Sequence, residues 1–176
     1  MIDHSVGHLV QAGVDRLVVV SRPDKREVVH HLADAWPDMD LVVVDQPEPI
    51  GNLLDALKAS LAALAGHEVL LLFPDTYLEP NPFTFDGGTE LTLLCHDAGD
   101  KWNQFGVVDP LLRRVIEKPA TDPGHRLCWG AAAWRPEFTE RLSGVTALTD
   151  AINQANWRHA LTIGLYEDIG LGQPPE

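Results

Sequence analysis

The sequence has little cysteine, little positive charge and no long apolar run. Only Cys95 and Cys128 occur, too few for a disulfide framework and typical of a reducing cytoplasm. Thirteen basic residues stand against 26 acidic ones, so the formal net charge is −13 and the broad basic surface of a nucleic-acid-binding protein is absent. Apolar runs such as 69–73 are far shorter than the roughly 20 residues of a membrane helix. These absences predict a cytoplasmic protein that binds neither nucleic acid nor a membrane.

The composition predicts one folded domain over residues 1–176. Hydrophobic residues make up 45% of the chain and charged residues 22%, which excludes an intrinsically disordered protein. We expect both cysteines to be small buried side chains without a disulfide. Because the chain is strongly acidic, an anionic ligand needs a local group of cations, backbone N–H groups or a divalent metal ion.

Apolar strands alternate with helical patterns in the first half of the sequence. Strands are predicted at 17–20, 41–44 and 69–73, and the clearest amphipathic helix runs over 53–64. Asn52 and Asp55 begin that helix with a capping pattern. This alternation is typical of an α/β protein whose parallel sheet has helices on both faces.

Antiparallel elements are predicted in the second half. After a loop marked by Pro80 and Pro82, we expect a strand at 91–95, a hairpin formed by 105–108 and 115–117, and a strand at 127–134. A short helix from Pro136, a helix over 148–157 and one last strand over 160–166 complete the expectation.

Acidic and basic side chains follow several of the predicted strands. Ligands of open α/β sheets bind beyond the carboxyl ends of parallel strands, so Asp75 and Asp168 are candidate Mg²⁺ ligands. Lys118 is a point charge suited to a phosphate. The segment 46–52 combines two prolines with Gly51, which allows a planar ligand to approach the backbone. Taken singly, each of these features is more typical of an ordinary turn or helix cap.

Two pairs of histidines have spacings that metal sites use. His4 and His8 are one helical turn apart, and His30 and His31 are adjacent. The sequence suggests no set of Cys, His and Asp residues that completes a tetrahedral site with them. We therefore expect these histidines to lie solvated on helix surfaces.

Seven segments follow one another in the order found in a known family. They are residues 1–20 with AGV at 12–14, QPEPIGNLLDAL at 46–57, EVLLLFPDT at 68–76, FGVVD with VIEKP within 105–119, CWGAAAW at 128–134, LTDAIN at 148–153 and YEDIGLGQPPE at 166–176. Together they resemble the sugar-1-phosphate nucleotidyltransferases, the family of glucose-1-phosphate thymidylyltransferase. The resemblance covers nearly the whole chain.

The resemblance implies a fold, a reaction and a set of site residues. The fold is a Rossmann-like three-layer mixed sheet, and the reaction is Mg²⁺-dependent transfer of a nucleotidyl group from a nucleoside triphosphate (NTP) to a sugar 1-phosphate, with release of pyrophosphate. The implied roles are Gln46, Pro49 and Gly51 for the base, Asp75 and Asp168 for Mg²⁺, and Gly106, Glu117, Lys118 and Gly130 for the sugar phosphate, with Asp75 and Lys118 catalytic.

One family feature has no counterpart in this sequence. The glycine-rich signature G-G-x-G-T-R…K-P, which follows the family's first strand and binds the triphosphate, is absent. The resemblance thus implies that a first central strand is missing between the strands at 17–20 and 69–73. Three alternatives remain: these two strands pair directly, another chain supplies a strand, or the natural protein begins upstream of Met1. A homo-oligomer also remains open.

The missing signature leaves a second function open. A catalytically inactive relative would bind a nucleotide, a sugar phosphate or a partner chain. A third alternative is a receiver-like module with Asp75 as phosphoacceptor and Lys118 as its cation, although such a module requires an acidic pair after its first strand and has no hairpin insertion.

Overall fold

The structure, a computed structural model, describes residues 2–46, 51–84 and 88–169. The helices within these ranges are α1 (Ile2–Gln11), α2 (Arg26–Ala35), α3 (Leu53–Leu64), α4 (Pro136–Leu142) and α5 (Leu148–Gln154). The strands are β1 (Arg16–Ser21), β2 (Asp40–Asp45), β3 (Val69–Leu71), β4 (Thr76–Glu79), β5 (Leu91–Asp97), β6 (Gly106–Asp109), β7 (Arg114–Glu117), β8 (Leu127–Trp134), β9 (Trp157–Leu161) and β10 (Leu165–Asp168). No helix in the described ranges is long and apolar enough to cross a membrane.

The strands form a mixed α/β arrangement, as predicted. The largest sheet has the order β7-β6-β8-β5-β9, and β3 also pairs with β8. Within it β5 and β9 are parallel, whereas β8 is antiparallel to β3, β5 and β6. Two further ladders join β1 to β2 in parallel and β4 to β10 in antiparallel orientation.

Helix α3 forms where its sequence pattern predicts it. The Asn52 side chain accepts a hydrogen bond from the Asp55 backbone, and the Asp55 side chain accepts one from the Asn52 backbone, which completes a capping box. Leu54, Leu57 and Leu64 lie on the buried face of the helix. Each buried leucine contributes about 1.5–3 kcal/mol, so this face fixes α3 against the sheet.

The centre of the large sheet is buried on both faces. The residues of β8 from Cys128 to Trp134 are all buried, and so are those of β5 from Leu91 to His96. Cys95 and Cys128 are free and fully buried, which confirms the prediction made for them. The two strands thus provide a rigid base for the loops at their ends.

Three predictions for the secondary structure are wrong. The expected single strand over 160–166 is two strands, β9 and β10, in different sheets, because the backbone turns at Thr162–Gly164 and Gly164 donates a hydrogen bond to the Glu79 carbonyl. The helix expected to reach residue 157 ends at Gln154, since Trp157 begins β9. The loop expected after Asp75 contains β4, whose short alternating pattern was hidden by the prolines that follow it.

Strands β1 and β3 do not pair with each other, so the alternative of direct pairing is wrong. Among the described residues, β1 pairs with β2 and β3 pairs with β8. An apolar groove of about 390 Å³ lies between them, lined by residues of both strands, by the end of α1 and by α3. A second apolar cavity of about 230 Å³ also touches β1 and the segment that begins with Leu71. Two strand edges therefore line one groove.

Candidate active site

A pocket of about 560 Å³ opens where the ends of β4, β6, β7, β8 and β10 approach the start of α3. Five of the predicted site residues line it: Asp75, Gly106, Glu117, Lys118 and Asp168. These residues come from four separate segments of the chain. The fold therefore gathers most of the predicted set, while the role of each residue remains a prediction.

The pairing of β4 with β10 brings Asp75 and Asp168 to the same side of the pocket. Asp168 is the register partner of Thr76, and the Ile169 backbone N–H donates to the Asp75 carbonyl at 3.1 Å. Burial raises the pKa of Tyr166, and the charges of Asp168 and Asp75 raise it further. The phenol therefore stays neutral and lies within the electrostatic field of both carboxylates.

Glu117 and Lys118 reach the pocket from the end of the β6–β7 hairpin. Lys118 has a left-handed backbone with φ of 39°, which costs a non-glycine residue roughly 1 kcal/mol, and its N–H donates to the Phe105 carbonyl at 3.0 Å. Desolvation raises the pKa of Glu117, and the charge of Lys118 opposes that rise. The hairpin end thus presents one carboxylate and one ammonium group side by side.

Gly106 is packed too closely for any side chain. A Cβ atom at this position would lie 2.2 Å from Trp129 Nε1 and 3.2 Å from a Glu117 carboxylate oxygen. Trp129 Nε1 is buried and has no hydrogen-bond partner in the described residues. Trp129 lines the pocket through other atoms of its ring, and its buried indole N–H lies against Gly106.

An aromatic group that the sequence analysis missed forms one wall of the pocket. Tyr166 stacks on His96 at a centroid distance of 4.0 Å, and Phe105 meets Tyr166 edge-on at 5.5 Å. Gly130 does not line the pocket but lies under the Tyr166 ring. One feature of the sequence could have placed Tyr166 at the site: it lies two residues before Asp168, and residues two apart on a strand lie on the same face.

Gln46 and Gly51, two of the three residues predicted to bind the base, are not part of the pocket lining. The Gln46 side chain donates to the Gly51 carbonyl at 3.5 Å, and Gly51 precedes Asn52, which does line the pocket. A Cβ atom at Gly51 would come within 2.8 Å of the Asp55 side chain, so the capping box itself accounts for this glycine. Pro49 lies outside the described residues.

The donor atoms at this site suit a hard divalent cation. Asp75 and Asp168 offer carboxylate oxygens, the ligands that Mg²⁺ prefers, and the pocket leaves space for phosphate oxygens and water. Their joint effect on the pKa of Tyr166 indicates that both charges act on one region. The residues present therefore fit Mg²⁺ by the chemistry of their donor atoms.

Comparison with solved structures identifies the fold. A glucose-1-phosphate thymidylyltransferase described as putative, from Bacillus anthracis, matches with a TM-score of 0.83 and 15% identity over 97% of this chain and 77% of its own. A UDP-glucose pyrophosphorylase from Acinetobacter baumannii matches with a TM-score of 0.76 and 18% identity over 96% of this chain and 77% of its own.

A further structure of a UDP-glucose pyrophosphorylase, in complex with UDP-glucose, matches with a TM-score of 0.77 and 15% identity over 96% of this chain and 81% of its own. No protein-family model matches the sequence, and no curated protein gives a significant match. At these identities the similarity establishes the fold. The chain has the fold of the sugar-1-phosphate nucleotidyltransferases, as its sequence segments indicate.

Proposed function

We propose that this protein transfers a nucleotidyl group from an NTP to a sugar 1-phosphate and releases pyrophosphate. The observation that carries this proposal is the meeting of Asp75, Asp168, Glu117 and Lys118 in one pocket from separate segments. The similar structures support the same chemistry, since their names include pyrophosphorylases and a thymidylyltransferase, one of them bound to UTP and another to UDP-glucose.

The chain's own residues would act by positioning and by charge. The Lys118 ammonium binds the phosphate of the sugar phosphate, and Glu117 accepts hydrogen bonds from sugar hydroxyls. The Tyr166 and Phe105 rings offer an apolar face to the sugar ring. Held in this way, a phosphate oxygen of the sugar phosphate is aligned for attack on the NTP α-phosphate.

Asp75 and Asp168 are the proposed holders of Mg²⁺. When bound, this ion would supply positive charge to offset the charge of the phosphates. The two carboxylates also keep the pocket negative, so a phosphate compound without a cation would be repelled. We infer that NTP binding depends on both side chains.

A pyrophosphate-release assay tests the proposal. The full chain is incubated with glucose 1-phosphate and each of the common NTPs, with MgCl₂. We expect turnover with at least one pair, and a loss of about 100-fold or more in Asp75→Asn and in Lys118→Ala. Asp34→Asn is the matched control, because Asp34 is an exposed carboxylate on α2 outside the pocket. Equal turnover in Asp75→Asn and Asp34→Asn would contradict the proposal.

A second candidate function is that of a non-catalytic module that binds a partner chain. The observation that favours it is the groove between β1 and β3. The carbonyls of Asp15 and Ser21 accept hydrogen bonds from the side of β2. Because the backbone N–H and C=O groups of successive residues in a strand point to opposite edges, those of Arg16, Val18 and Val20 point toward the groove. An extended apolar strand supplied by another polypeptide would satisfy these groups and fill the apolar space.

A peptide experiment tests this second candidate. The probe is a lysine-flanked valine-threonine peptide with a six-residue strand, the length of β1. We expect the peptide to slow hydrogen exchange at the Val18 and Val20 amides. A peptide of the same composition with one central proline is the control, because proline lacks the N–H that the edge requires. Unchanged exchange with both peptides would rule out strand addition, whereas binding without any turnover in the assay above would favour this function over catalysis.

A further inference from the structure

A cluster of metal-binding side chains lies away from the pocket, between α1 and β4. His4 and His8 lie one turn apart on the same face of α1, and Glu79 is the last residue of β4. One donor atom from each of these three side chains lies within 4.8 Å of the others. The expectation of solvated histidines is wrong for His8, which is only 6% exposed.

Both imidazole rings converge on one backbone oxygen. His4 Nε2 and His8 Nε2 each lie 3.0 Å from the Leu78 carbonyl, and His4 Nε2 lies 3.5 Å from a Glu79 carboxylate oxygen. For metal bonds of 2.0–2.1 Å, neighbouring ligand atoms of a tetrahedral site are roughly 3.3–3.4 Å apart. The three separations of 3.0, 3.0 and 3.5 Å bracket this value, and the three side-chain donors all lie within 4.8 Å of one another, so the donors are close to the spacing that a metal ion requires.

We propose that His4, His8 and Glu79, together with the Leu78 carbonyl, bind a zinc-type divalent metal ion. Two imidazole nitrogens, one carboxylate and one carbonyl form a borderline donor set that suits Zn²⁺ better than Mg²⁺, whose ligands are almost all oxygens. Metal binding at Nε2 moves the proton of each neutral ring from Nε2 to Nδ1, so two N–H hydrogen bonds to the Leu78 carbonyl are exchanged for coordinate bonds without loss of a proton. The site belongs to neither the proposed reaction nor its Mg²⁺ ligands.

The surroundings hold the donors in place. The His4 ring stacks on Tyr77 with a centroid distance of 4.2 Å, and Asn81 donates to the His8 carbonyl at 2.9 Å. The stacking restricts rotation of the His4 ring, and the Asn81 hydrogen bond holds the backbone at His8, so less entropy is lost on binding. Glu79 is 44% exposed at its side chain, which leaves a path for the ion from solvent. The bound ion would link α1 to β4 and hence to the ladder that holds Asp168.

Zinc titration of the EDTA-treated full chain tests the proposal. Isothermal calorimetry is expected to give one Zn²⁺ per chain, with an affinity reduced about 100-fold or more in His4→Ala and in Glu79→Gln. Co²⁺ is expected to give the intense visible absorption of a tetrahedral site in the unmodified chain, and not in either variant. These two positions are partly exposed, so the variants keep the buried His8 and its packing.

Two controls separate this site from other effects. His30→Ala removes an exposed histidine of α2 and is expected to leave Zn²⁺ affinity unchanged. Asp75→Asn is expected to abolish turnover and keep Zn²⁺ binding, so failure of the metal site is distinguishable from failure of the proposed function. Zn²⁺ binding that is absent, or equal in the unmodified chain, His4→Ala and Glu79→Gln, overturns the proposal.

Discussion

The ring of Tyr166 lies against the backbone of Gly130, where a Cβ atom would come within 2.3 Å of Tyr166 Cε2. Glycine at this position of β8 is what allows the ring to stack on His96 and form a wall of the pocket. The sequence resemblance assigns Gly130 to the sugar phosphate. In the structure Gly130 does not line the pocket itself but lies against Tyr166, which does.

Gly130→Ala is expected to displace Tyr166 and to destabilise the fold by about 1–3 kcal/mol, because β8 is buried and cannot move away. Chemical denaturation measures this change. Gly7→Ala is the matched control: a Cβ atom at Gly7 meets nothing within 4 Å, and alanine inside α1 is expected to stabilise it by about 0.5–1 kcal/mol. Equal stability of Gly130→Ala and the unmodified chain would contradict the close contact.

The sequence predicted the site better where a residue follows a strand than where two strands must meet. Asp75 lies two residues after the apolar run 69–73, and Lys118 directly follows β7, so the strand patterns placed both residues near strand ends. Asp75 and Asp168 were both candidate Mg²⁺ ligands from their positions after apolar strands, but their proximity depends on the pairing of β4 with β10, which joins residues about ninety positions apart. Local periodicity carries no information about such contacts.

The same limit explains the metal-binding cluster. The spacing of His4 and His8 was visible in the sequence, but Glu79 joins them through packing of α1 on β4. Likewise, the apolar pattern of β1 and β3 predicted buried central strands, and it could not tell which edges remain unpaired. Which strands pair with each other depends on tertiary structure, whereas the formation of a strand depends mainly on its local sequence.

His96 is expected to make stability depend on pH. Burial lowers its pKa to about 4, against the opposing effect of Asp97, while the unfolded chain has a value of about 6.5. Because the folded-state pKa is depressed, the unfolded chain binds a proton at His96 more readily than the folded chain does. The fold therefore keeps its full stability above pH 6.5 and loses about 3 kcal/mol of it as the pH falls toward 4.

Denaturant unfolding between pH 7 and pH 4 measures this effect. His96→Phe keeps an aromatic ring against Tyr166, and its stability is expected to fall less over that range than that of the unmodified chain. His159→Gln is the control, since His159 is exposed on β9. A pH dependence in His96→Phe as steep as that of the unmodified chain would show that other groups cause it.

The capping box of α3 is expected to contribute measurably to stability. Asn52→Ala removes the acceptor for the Asp55 N–H and is expected to cost about 1 kcal/mol, or about 2–4 °C in Tm. Asn52→Ser retains a capping oxygen and is expected to recover most of the loss. Thermal unfolding followed by circular dichroism compares the three proteins, and an unchanged Tm in Asn52→Ala would exclude the cap as a stabilising element.

Amide exchange is expected to alternate along β1. The Val19 N–H faces β2 and is expected to be protected, whereas the Val18 and Val20 amides face the groove and should exchange at least tenfold faster. Residue-resolved hydrogen exchange by NMR measures these rates in the chain alone. Uniform protection of the three amides would mean that a partner already covers this edge in solution.

The ladder between β4 and β10 fixes Asp75 and Asp168 through main-chain hydrogen bonds at Thr76 and Ile169. The backbone positions of these two acidic residues are accordingly set by the ladder, and exchanging either carboxylate for an amide would leave that framework intact. Single and double amide replacements at these two positions can thus vary the charge of this side of the pocket in steps of one on an unchanged backbone.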